Sequence, residues 1–464
     1  MDNLTFWKIC RIINLILDKI VKIDMDINSA EIIRILEDWN LWKRDIETGY
    51  LRDFYVNKLK KMLDSGQVLV ITGPRRSGKT YIMRQLASIL VKNGVSRNRI
   101  LFINFEDPRL PELDARILQK IYEAYLEYLS PEDKPFLFLD EIQEVKNWEK
   151  WVLSIHELKK AYVILSGSNA KLLSRELATL LTGRHLDINV FPLSFKEFLK
   201  FRGIELKDRM ELINNELKIK SFLREYMEFG GFPEVVLREN KKELVLNYFK
   251  DIVEKDLVRR YNVRKVEEMR SLLRFYISNV SSLVTFSSME KFLRIRKDTV
   301  EKFSGYFENV FLIFFLKRFS FKVKEQEKSP RKVYAVDPAL PNVIGFRFSE
   351  NIGRIAENVV FLELLRKKFQ NPDMEIFYWK DEKHREVDFV VKKGQAVESL
   401  IQVCWNLAHP KTKEREIKSL IKAGEELRCN NLIVINAELK REEEINGKKI
   451  KFMPLWEWIG VNSK

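Results

Sequence analysis

The chain has 464 residues, with 82 Lys and Arg against 67 Asp and Glu for a formal net charge of +15, and 45% of its residues are hydrophobic and 12% aromatic. Such a length suggests about three domains, and such a composition excludes a disordered chain. Three scattered cysteines (Cys10, Cys404, Cys429) and four histidines, with no CxxC pair and no HExxH, exclude a disulfide framework and zinc chemistry through imidazole.

The first 50 residues read as a helical segment, with Ile12, Ile13, Ile16, Leu17 and Ile20 and then Ile32, Ile33 and Leu36 at helical spacing. Lys8, Arg11, Asp18, Lys19 and Lys22 interrupt the apolar stretch at 6–23. Neither a membrane span nor a signal peptide is therefore expected, and the protein is expected in the cytoplasm. From residue 51 to about 230 the pattern becomes strand and helix in alternation. Apolar runs at 68–71, 100–105, 135–139 and 162–166 are separated by helical stretches, which predicts an α/β domain on a parallel sheet.

The first run leads into Gly73-Pro74-Arg75-Arg76-Ser77-Gly78-Lys79-Thr80, which fits G-x-x-x-x-G-K-[ST] at every fixed position. Glycine lets the backbone curl so that successive N–H groups face phosphate oxygens, and the following helix N-terminus adds partial positive charge. Lys79 is expected on the β- and γ-phosphates of ATP and Thr80 on Mg2+. The third run ends in Asp140-Glu141, which predicts Asp140 as a second Mg2+ contact and Glu141 beside the attacking water. The fourth run ends in Ser166-Gly167-Ser168-Asn169, whose polar side chains would emerge beside the γ-phosphate and orient water, or simply form a turn or helix cap. Arg184, with Arg175 as its competitor, is a candidate for stabilising transition-state charge in cis or across a subunit interface.

GPRRSGKT, FLFLDEIQ, LSGSNAKLLS, TGRHLDINVFPLSFKEF and GGFPEVV, in this order, resemble the AAA+ ATPases of archaea and bacteria that carry a C-terminal DUF4143 region. The resemblance covers roughly residues 50 to 440. It implies a P-loop AAA+ core with a parallel sheet, a winged-helix-like domain and a restriction-endonuclease-like α/β end. It also supports Lys79, Thr80, Asp140, Glu141 and Asn169 as nucleotide-site residues, with Arg184 less directly, and makes a homo-oligomer, even a ring, the expected assembly.

The Gly230-Gly231-Phe232-Pro233 punctuation marks a boundary. Residues 231–345 then read as helices followed by a hairpin at 319–336, an order similar to a winged helix. Lys322, Lys324, Lys328, Arg331 and Lys332 would make its wing basic, while Val300, Phe303, Tyr306 and Phe307 mark much of the third helix as core. In residues 346–464, Glu357 on a helix and Asp388 on a strand follow the nuclease-like carboxylate pattern, but the next strand reads Gln402-Val403-Cys404 where Glu-x-Lys is wanted. Gln is a weaker ligand and Cys supplies no permanent cation, so the lysine role is empty unless Lys392 or Lys411 swings in. This end reads as an inactive nuclease fold retained for binding DNA or packing the assembly.

The basic balance, with a pI near 9.4, favours polyanions such as DNA. The plainer alternative is a Lys- and Glu-rich solvated surface of the kind common in proteins from hot environments. The sequence thus predicts a Mg2+-dependent ATPase in a DNA-associated assembly. Two other readings stay open: a signalling or defence switch acting on a protein partner, and a nuclease coupled to an ATPase.

Overall fold

The computed structural model describes residues 27–110, 113–168, 183–206, 209–346 and 352–461. Expectations on residues 1–26, and on Asn169 and Arg175, lie outside them. Two compact units divide the chain: one holds Met1–Thr72, Lys79–Gly167 and Lys171–Ile188, the other Gly73–Gly78, Ser168–Ala170 and Asn189–Lys464.

In the first unit, α1 (Ser29–Glu37) opens with a capping box between Asn28 and Glu31. Its Ile32, Ile35 and Leu36 join the core formed with the sheet and with α4 (Ala115–Leu129). After α2 (Asp53–Leu63) comes β1 (Val68–Thr72), buried at every position. An all-apolar, β-branched run is what a strand covered on both faces requires. Helix α3 (Lys79–Lys92), β2 (Ile100–Asn104), α4, β3 (Phe136–Asp140), α5 (Trp148–Glu157), β4 (Tyr162–Gly167) and β5 (His185–Asn189) follow. The sheet order is β2-β3-β4-β1-β5, with β1–β4, β3–β4 and β2–β3 all parallel. After β1 the chain therefore passes over two strands to β2 before returning, which makes the carboxyl end of β1 a topological switch point.

The second unit contains several helices, among them α6 (Lys241–Asp251), continued by a π-helix at Ile252–Arg259. Next come α7 (Val266–Ser278), β6 (Leu283–Val284), α8 (Phe286–Leu293), α9 (Lys297–Asn309), β7 (Ile313–Leu316), α10 (Val323–Lys328) and β8 (Arg331–Ala335). The three strands form an antiparallel sheet in the order β6-β8-β7. The expected hairpin at 319–336 is thus replaced by an earlier strand and a short helix. Lys322–Glu325 (3.2 Å) and Glu327–Arg331 (3.6 Å) pairs support that turn, and Ser329-Pro330 ends it.

The last part runs α11 (Ile352–Gln370), β9 (Met374–Lys380), β10 (Glu386–Lys393), β11 (Ala396–Val403), α12 (Pro410–Glu426), β12 (Leu432–Asn436), β13 (Arg441–Ile445) and β14 (Lys448–Pro454). Its mixed six-stranded sheet has the order β13-β14-β12-β11-β10-β9. Long-range polar contacts stitch this unit together. Buried Asp337 accepts the Gly231 N–H at 2.7 Å, and a Cβ on Gly230 would lie 1.6 Å from the same carboxylate, so glycine is required there. Arg366 of α11 donates to the carbonyls of Pro192 and Leu193, each at 3.1 Å.

Candidate functional site

At the carboxyl end of the first unit's sheet, four sequence-predicted residues come together. Thr80, in the first turn of α3, donates its hydroxyl to Asp140 Oδ2 at 2.7 Å. Lys79, 4% exposed, places Nζ 3.4 Å from Glu141 Oε1. Ser166, at the end of β4, donates to the other Asp140 oxygen and accepts the Glu141 N–H at 3.0 Å, so one hydroxyl fixes both acids. Gln143 Nε2 donates to Glu141 Oε2 at 2.5 Å. Glu141 itself has φ of 54°, a left-handed conformation unfavourable for a glutamate, and such strain clusters at functional sites.

The electrostatics agree with the geometry. Burial, and then the neighbouring Glu141 charge, push Asp140 up to about 6, against hydrogen bonds from Ser166 and Thr80 and the charge of Lys79. A buried carboxylate destabilised in its charged form, with a hydroxyl oxygen beside it, fits a hard divalent cation that takes oxygen ligands. Thr80 and Asp140 are the pair that would hold Mg2+.

The phosphate loop is described within the second unit. Its turn closes through Ser77 N–H to the Pro74 carbonyl at 3.2 Å, and Arg76 and Gly78 take φ of 68° and 96°. Gly73 has φ of 150°, and a Cβ there would come within 2.0 Å of the Val190 carbonyl oxygen. The side chains at the two arginine positions turn to the helical segment. Arg75 grips Asp256 with Nε and Nη2 at 2.9 and 3.3 Å, and both groups are buried. Arg260 lies 3.1 Å from Asp256 and donates to Ser168 Oγ at 3.2 Å, and Ser168 donates in turn to Asp256. Arg76 sits over the Tyr248 ring at 5.1 Å, with Glu234 and Asp251 each 3.9 Å away.

Asp256 was missed by motif reading, although a signal existed. It shares a helical stripe with Ile252, Val253 and Leu257, and a charge on an apolar stripe implies a buried partner. Arg184 is half-exposed and pairs with Glu157 at 2.9 Å.

A second polar cluster lies in the C-terminal part. Lys332, placed by sequence on a basic wing, is instead 2% exposed. Its Nζ is 3.1 Å from Glu357 on α11, 2.8 Å from Glu386 and 2.7 Å from Asp388, both on β10. Tyr334 donates to Glu357 at 2.8 Å. Burial and the Asp388 charge push Glu357 up to about 8. Burial alone would lower Lys332, but Asp388 and Glu357 hold it well above its ordinary value. Of the two expected substitutes, Lys392 pairs with Glu375 and Lys411 is exposed, and burial pushes the Cys404 thiol up to about 11.

A phosphate loop after a buried strand, an acid pair at the end of β3 and a parallel five-stranded sheet define a P-loop ATPase fold of the AAA class. The comparisons agree: an AAA domain model matches residues 65–199, and domains of unknown function DUF8612 and DUF4143 match 220–349 and 352–458. The chain is 35% identical to an uncharacterized protein of Methanocaldococcus jannaschii over 99% of both chains, and 29% identical to one of Haemophilus influenzae over 87% of this chain and 98% of the other. Among solved structures it is similar to a Walker-type ATPase of Pyrococcus abyssi, with 15% identity and a TM-score of 0.37, over 64% of this chain and 95% of the other. The chain belongs to the family of P-loop ATPases that join an AAA domain to a DUF4143 domain. No described helix is long and apolar enough to cross a membrane.

Proposed function

We propose that the chain is a Mg2+-dependent ATPase that couples hydrolysis to conformational change in a DNA-associated homo-oligomer. The observation that carries the ATPase reading is the convergence of Lys79, Thr80, Asp140 and Glu141 at the switch point of the sheet. When bound, Mg2+ supplies charge neutralisation on the phosphate oxygens. Lys79 binds the β- and γ-phosphates, and its departure from Glu141 frees that carboxylate to orient the attacking water and accept its proton. Gln143 and Ser166 hold the acid pair in place, so catalysis rests on positioning and electrostatics. Asn169 as a water-orienting group and Arg184 as a charge-stabilising group acting in trans complete the proposed set.

Two ATPase measurements test this. Lys79→Ala should lose nucleotide binding, while Glu141→Gln should bind ATP and turn over at least about 100-fold more slowly. Unchanged turnover in Glu141→Gln removes that residue from the chemistry.

The DNA-associated part rests on the net charge of +15 and on the order of α7 to β8, which resembles a winged helix with α9 as its third helix and the short α10 inserted between the last two strands. One observation favours the rival reading, a switch that recruits a protein partner. The exposed face of α9 mixes Lys297 and Lys302 with Asp298, Glu301 and Glu308, and Glu325 and Glu327 offset the lysines beside β7 and β8. Titration with duplex and branched DNA at two salt concentrations separates the readings. The first requires binding that falls steeply with salt and a stimulated ATPase, whereas no binding at low salt leaves the switch.

A further inference from the structure

We infer that Lys332 is the resident cation of the C-terminal carboxylate pocket, seated where a nuclease-type acid set would take a divalent metal, so that the folded chain binds no Mg2+ or Mn2+ there. An ammonium has three N–H donors and no acceptor. Lys332 Nζ has three carboxylates within reach, Glu357, Glu386 and Asp388, one for each proton.

Three further ligand groups are also committed. Asp388 Oδ2 accepts the Val403 N–H at 2.9 Å. Glu386 Oε2 takes Lys380 at 3.0 Å. Gln402, the candidate third ligand, accepts the Asp388 N–H at 3.2 Å and donates to Glu416 at 2.7 Å. A hard cation needs carboxylate oxygens at about 2.0–2.6 Å. Entering here, it would meet the buried positive charge of Lys332. Among the described residues, no group of three or more His, Cys, Asp and Glu has a geometry that could hold a metal.

The lysine is not on a loose arm. Its strand, β8, is clamped to α11 by Asn358, which accepts the Ala335 N–H at 2.8 Å and donates to the Ala335 carbonyl at 3.0 Å. The Tyr334 ring stacks on Phe361 with centroids 4.0 Å apart. The pocket thus welds the three-stranded sheet to the six-stranded one, and metal-dependent hydrolysis is denied the cation that would make its nucleophile.

The test is Mn2+ uptake by the nucleotide-free full chain, followed by the loss of the free Mn2+ electron paramagnetic resonance signal. Wild type and Asp388→Asn should take up the same amount. Lys332→Ala should bind one additional Mn2+ per chain, and Lys332→Ala with Asp388→Asn should lose it again. Wild-type uptake that Asp388→Asn abolishes would overturn the inference, as would a folded Lys332→Ala that gains none. Should Lys332→Ala not fold, melting temperatures decide. Lys332→Met with Asp388→Asn should melt higher than Lys332→Met alone, because one unpaired carboxylate is gone, and equal melting temperatures would refute the role of Lys332 as counter-cation.

Discussion

Replacing Asp140 by Asn should make the nucleotide-free protein more stable and the enzyme inactive, with a pH signature that identifies the cause. Asn preserves the shape of the side chain and can still meet Ser166 and Thr80, but it cannot ionise. A carboxylate whose folded pKa lies above its unfolded value contributes stability below the unfolded pKa and loses it as pH rises through the folded one. For Asp140 that window runs from 3.8 to about 6. The gap, at about 1.4 kcal/mol per pH unit, amounts to about 3 kcal/mol that the charged side chain costs at pH 8. Urea denaturation of wild type and Asp140→Asn at pH 4.5, 6 and 8 measures it, following the transition of the first unit. The gain should be about 3 kcal/mol at pH 8, about 2.6 kcal/mol at pH 6 and about 1 kcal/mol at pH 4.5. A gain equal at all three values, or a loss at pH 8, would refute the view that an unfavourable buried charge is held ready for a cation.

Asp256→Ala should destabilise the protein by about 3–5 kcal/mol, because it leaves the Arg75 and Arg260 guanidinium groups facing a cavity where a carboxylate had been; Asp256→Asn, measured by the same denaturation, should cost less. Arg184→Ala should change stability by less than about 1 kcal/mol, since its pair with Glu157 is half-exposed. If Arg184 acts across a subunit interface, the variant's ATPase rate should fall at least about 100-fold and recover in part when it is mixed with Lys79→Ala chains, which supply the missing arginine.

The grouping of Lys79, Thr80, Asp140 and Glu141 at the candidate site was legible because its constraints are local. A parallel strand buried on both faces reads as an unbroken apolar run, as at 68–71, and the loop and acid pair follow such runs directly. Edge elements were read less well. β5 ends at Asn189, and Phe191 joins the core of the second unit. The hairpin of β13 and β14 was overlooked among charged residues, although Asn446-Gly447 takes the two left-handed conformations of a tight hairpin turn. Its Glu442–Lys451 and Glu444–Lys449 pairs face each other across the strands. Lys332 could not be read at all. Alternation places it on one face of a short strand, but only the packing of β8 against α11 decides that this face meets carboxylates rather than water.

The bonds from Arg366 to the Pro192 and Leu193 carbonyls span 174 and 173 residues, and that from Asp337 to Gly231 spans 106. At about 5–20 residues per second of synthesis, the carbonyls at 192 and 193 wait roughly 10 to 35 s on the ribosome before their arginine is made. Until then the Leu193 carbonyl has only the Tyr226 hydroxyl, at 2.9 Å, and any fragment ending between 226 and 366 lacks the arginine that bridges both carbonyls. Among the described residues, the first unit's apolar cluster around α1 and α4 draws on none beyond Leu165, so an order of assembly is written into the chain: most of the sheet first, then a long pause, then the clasp.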